Sequence, residues 1–89
     1  MKRIRWSAHA EKECLTREIS RLDVEKTLEM PDLVSPGRYP REIFMRRYFD
    51  EILQSEMLLR VVVEESETER VIVTLYKTSK FKKYEQADL

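Results

Sequence analysis

The sequence predicts an α+β domain: an N-terminal strand, a two-helix hairpin, then a mostly antiparallel sheet. Three observations lead there. Two short, β-branched apolar runs, 58–63 and 71–76, flank a polar loop and read as paired strands. Two serines, Ser7 and Ser20, each stand before a helical pattern in the first third of the chain. All three prolines and the single glycine fall within 31–40, so a connection separates helices from strands.

Residues 2–6 alternate charged and apolar side chains, which suits a short strand. Ser7 is a good N-cap for a helix running to about Arg17, with Ala8, Ala10, Cys14 and Leu15 as its apolar stripe. Ser20 caps a second helix. Asp23 stands in its first turn against the helix dipole, Ile19 and Val24 occupy the hydrophobic-staple positions, and Pro31 stops the helix after Met30. A short strand at 32–35 fits inside the connection. Over 41–54 the pattern is ambiguous. Phe44, Met45, Tyr48, Phe49, Ile52 and Leu53 recur at helical spacing, yet 43–49 has the aromatic density of a strand.

For the hairpin, setting Glu64 opposite Arg70 places Val63, Val61 and Leu59 against Val71, Val73 and Leu75 on one apolar face. The other face then pairs Val62 with Ile72, Arg60 with Thr74 and Leu58 with Tyr76. A slip of one residue would mix the two faces.

The chain is long enough for one modest core, so a single domain over 1–89 is expected, and its apolar fraction of 42% excludes a disordered segment. No apolar run approaches the ~20 residues of a membrane span, and no signal-peptide pattern opens the chain. A lone Cys14 makes no internal disulfide, which fits a reducing cytoplasm. Seventeen basic residues balance seventeen acidic ones, which argues against binding nucleic acid by bulk charge. The charges are nevertheless segregated: glutamates crowd 64–69, and Lys77, Lys80, Lys82 and Lys83 crowd the tail. One His and one Cys in different patterns form no metal-ligand set, and no glycine-rich phosphate loop occurs, so no cofactor is expected.

Trp6-Ser7-x-His9-Ala10, Arg17-x-Ile19-Ser20 with Val24 and Leu28, and Pro31-Asp32 form one set of motifs. Leu59-Arg60-Val61-Val62-Val63-Glu64, the run from Val73 to Lys80, and Lys83-Tyr84 form a second. Over nearly the whole chain these resemble an uncharacterised family of small bacterial and archaeal domains, itself similar in fold to the RelE/ParE toxin superfamily. The resemblance implies two antiparallel helices on one face of a curved, mostly antiparallel sheet. It favours strand over 42–49, with 50–57 as an irregular or one-turn helical connection. Family members often carry glycine where this chain has Glu18, which puts a left-handed helix cap there in question.

The resemblance also implies a chemistry. RelE-like ribonucleases need no metal: the RNA 2′-hydroxyl attacks the adjacent phosphate, and the site moves protons and stabilises the charged phosphorane. Arginine and lysine suit the charge, and tyrosine, histidine or lysine suits the proton. The candidate catalytic residues are Arg47, Arg60, Tyr76 and Lys80, expected on one concave face, with His9 and Tyr84 near its rim. A short tail after the Tyr76 strand can fold back over that face. RNA or the ribosome is one implied partner and a small antitoxin-like protein is another. The competing expectation is a non-catalytic interaction domain in which each arginine pairs with a nearby glutamate.

Overall fold

The computed structural model describes residues 2–85. Their order is β1 (Arg3–Trp6), α1 (Ala8–Thr16), α2 (Arg21–Glu29), β2 (Leu33–Pro36), β3 (Arg41–Asp50), β4 (Ser55–Glu65), β5 (Glu69–Thr78) and α3 (Phe81–Glu85). The strands form one open sheet in the order β1-β5-β4-β3-β2. β1 runs parallel to β5, and all other pairs are antiparallel. The chain therefore starts at one edge, crosses the sheet through α1 and α2, and meanders back until β5 meets β1.

Capping explains where α1 and α2 begin and end. The Ser7 hydroxyl accepts from the Ala10 N–H and the Ser20 hydroxyl from the Leu22 N–H, each satisfying an amide the helix leaves unpaired. α1 ends with Glu18 at φ 53°, in the left-handed region and without glycine. The Glu18 N–H reaches the Leu15 carbonyl and the Ile19 N–H reaches the Cys14 carbonyl, a Schellman closure built around a glutamate. Ile19 and Val24 are both buried beside Cys14, whose thiol donates to the Ile19 carbonyl at 2.8 Å. Burial pushes that thiol's pKa up, which suits a packing role.

Both helices cover one face. Ala10, Cys14, Val24 and Leu28 pack with Phe44, Tyr48, Met57, Leu59, Val61, Val63, Ile72 and Leu75 in the main core. The hairpin register corrects the expected one. Val61 lies opposite Leu75, not Val73, and Arg60 opposite Tyr76, not Thr74. A bulge between Val62 and Val63 leaves Val73 as the extra residue of β5, so beyond it Ile72 turns to the core and Val71 away. The bulge is tied down from outside the sheet: the Ser7 hydroxyl donates to the Val73 carbonyl at 3.0 Å. No sequence pairing rule anticipates a shift anchored by a helix cap.

β3 is a strand along its whole length, and its connection to β4 is shorter than expected, spanning only 51–54. The helical spacing misleads because the strand is covered on both faces. Phe44 and Tyr48 enter the main core, whereas Met45 is fully buried outside it, on the opposite face. Leu58 on β4 does the same.

Candidate functional site

The face opposite α1 and α2 gathers most of the candidate side chains. In the β3–β4 register Met45 lies beside Arg60 and Arg47 beside Leu58, while Arg60 pairs across to Tyr76 on β5. Two arginines thus alternate with two buried apolar side chains on one surface. After β5, residues 79 and 80 turn the chain, and α3 lies back over this surface. Phe81 and Glu85 are one helical turn apart, so both present to the same neighbour. That neighbour is Arg47. Its guanidinium sits 4.2 Å from the Phe81 ring centroid and donates to Glu85 through Nε at 2.9 Å and Nη2 at 2.7 Å. Nη1 reaches Glu56 at 3.2 Å. These carboxylates, Glu85 first, raise the Arg47 pKa, and the Arg47 guanidinium in turn holds the Glu85 carboxyl below the usual carboxylate range.

Arg60 is held differently. Its guanidinium lies 4.0 Å from the Tyr84 ring centroid and 5.5 Å from that of Tyr76, and Nη1 donates to the Tyr76 hydroxyl. Among the described residues no carboxylate pairs with it, and its buried Nε has no hydrogen-bond partner. The two tyrosine rings meet edge to face at 6.2 Å. Burial, then the Tyr84 hydroxyl, push the Tyr76 phenol up. Hydrogen bonding from Tyr76 instead pulls the Tyr84 phenol down. The pair therefore sets one poorer and one better proton donor beside a single cation.

The structure brings Arg47, Arg60, Tyr76 and Tyr84 together. Lys80 stands exposed in the turn before α3, its backbone N–H bonded to the Thr78 hydroxyl at 3.1 Å. His9 lies apart, exposed on α1 across the sheet. Phe81, Glu85 and Glu56 belong to the surface and were not anticipated. The Phe81–Glu85 spacing was legible, but the five residues are too few to announce a helix.

Residues 6–77 match the family described as Domain of unknown function (DUF4258). The chain belongs to that family. The DUF4258 match contains His9, Arg47, Arg60 and Tyr76, while Lys80, Tyr84 and α3 follow it. No curated protein matches the chain, and no solved structure does.

Two further features lie on the helix side. A groove of about 660 Å³ is lined by Ile4, Leu28, Pro31 and Phe44, with Lys2 and Arg70 at its rim. Both cations already pair with Glu65, at 2.5 and 2.9 Å, so the groove offers little uncompensated charge. Nearer the 51–54 turn, Asp50 is 3% and Lys77 14% exposed, and they form an ion pair at 2.6 Å. Asp50 also takes the Tyr48 hydroxyl and the Ile52 and Leu53 N–H groups. Burial alone would raise this carboxyl, but Lys77 and the other donors hold it at about 2. With every Asp50 oxygen engaged, the network fixes the turn. Among the described residues no three His, Cys, Asp or Glu side chains are placed to hold a metal ion. Nor is any helix long and apolar enough to cross a membrane.

Proposed function

We propose that this chain is an RNA-contacting module of the toxin–antitoxin type, acting through the face that carries Arg60, Tyr76 and Tyr84. The observation behind this is the state of Arg60: a half-buried guanidinium held by two aromatic rings, with no carboxylate beside it among the described residues. A cation kept in this way attracts an anion, and a phosphodiester with a stacking base matches both the charge and the rings. The order of strand, helix pair and antiparallel meander agrees with the RelE/ParE resemblance and supports the same reading. If the contact leads to cleavage, Arg60 stabilises the phosphorane charge and Tyr76, which stays on β5, is the proton-moving group, without a metal.

The test is binding of a short single-stranded RNA across a salt series. Arg60→Ala should weaken binding roughly tenfold or more and lower the salt slope by about one phosphate contact. Equal affinity for the two proteins, or affinity that ignores salt, contradicts the proposal. Gel analysis of the same RNA reads cleavage.

A second reading has its own observation. Phe49, Ile52 and Leu53 crowd the β3–β4 turn at 54, 58 and 52% exposure, more apolar surface than a turn needs. This favours a protein-interaction domain that docks an antitoxin-like segment there. Pull-down of such a segment by the wild type, lost in Ile52→Asp with RNA binding unchanged, would support it.

A further inference from the structure

Among the described residues, the Arg47–Glu85 pair is the strongest polar contact joining α3 to the sheet. We propose that α3 is an autoinhibitory latch, in which Glu85 occupies the Arg47 fork where a ligand phosphate would sit, and release of α3 opens the Arg47–Arg60 face. The proposal rests on the RNA reading above for the identity of the ligand, and on geometry for the latch.

Four observations carry it. Glu85 meets Arg47 through two parallel hydrogen bonds, at 2.9 and 2.7 Å, the same planar fork by which arginine takes a phosphate. A carboxylate in that fork is therefore a direct competitor. Next, α3 has five residues, too short to persist as a helix without its contacts. Those contacts fall on the candidate surface: Phe81 and Glu85 on Arg47, and Tyr84 on Arg60 and Tyr76. Lastly, none of the α3 side chains is fully buried, so the docked state has little apolar area to hold it. An exposed bidentate pair is thus a large share of what keeps α3 down, and an anion can exchange for it. Lys82 and Lys83 lie on the same helix, so a polyanion that displaces Glu85 also gains two cations.

Trypsin reads the latch, because cleavage after the exposed Lys82 and Lys83 needs the α3 backbone extended, which undoes its docked helical turn. In Glu85→Gln the full-length chain should be cut there roughly fivefold faster, as loss of one surface-exposed bidentate pair implies, with unchanged thermal unfolding. The same variant should bind short single-stranded RNA roughly fivefold more tightly, because the competent state is more populated. Unchanged cleavage in Glu85→Gln overturns the latch. Faster cleavage with unchanged RNA affinity overturns its gating of this face. Faster cleavage with no RNA binding by either protein overturns the RNA reading and leaves the latch standing.

Discussion

At the scale of single residues, burial and pairing set the consequences of change. Asp50 and Lys77 form a buried pair, and removing one partner strands the other. Asp50→Asn should therefore cost on the order of 3 kcal/mol in chemical denaturation, mostly from an unpaired Lys77. The pH dependence follows from the sign. The folded carboxyl is held at about 2, below its ordinary 3.8, so its contribution is complete above about pH 4 and is lost as pH falls toward 2. Asp50→Asn should flatten that part of the acid limb; an unchanged limb would assign the acid sensitivity to other carboxylates such as Glu65. Val61 is wholly buried and Val62 half-buried on the other face, so Val61→Asp should unfold the domain while Val62→Asp is tolerated. Equal melting temperatures would contradict this assignment of faces.

At the scale of elements, the caps were legible and the irregularities were not. Ser7 and Ser20 announced both helices because an N-cap is a local signal, decided by residues three or fewer apart. The hairpin was legible as a hairpin, but its register was not, since the bulge at Val73 depends on Ser7, far away in sequence. Ser7→Ala removes a cap and frees the bulge carbonyl, and should cost about 1–2 kcal/mol by equilibrium unfolding, more than Ser20→Ala at about 1 kcal/mol. Glu18 is the converse case, a left-handed residue with a side chain that resists it. Glu18→Gly should stabilise the domain by about 1 kcal/mol in the same measurement. A loss of stability would mean that the glutamate side chain makes compensating contacts.

At the scale of the whole molecule, the topology decides what the two faces can do. The helix pair fills one face with aliphatic and aromatic side chains, leaving the other for Arg47, Arg60 and Tyr76. The grouping of those three was readable from strand parity, because a register shift of two residues keeps the face. Parity failed beyond the bulge, and on β3, which looked helical because both of its faces are covered, one by α2 and the other around Met45. His9 could not be placed from sequence, since nothing local tells which face of the sheet a helix will cover. The neutral net charge is likewise resolved only in three dimensions, with Arg47 compensated by Glu85 and Glu56 while Arg60 keeps aromatic neighbours.

The face opposite the helix pair is the proposed RNA-contacting surface. Backbone amide chemical shifts of the labelled protein, followed while a short single-stranded RNA is added, test it most directly. RNA on that face should shift only residues 45–47, 58–62, 74–78 and α3, leaving His9 and the rest of α1 and α2 unmoved. Shifts centred on His9 and the helices, or none with RNA in excess, would contradict it.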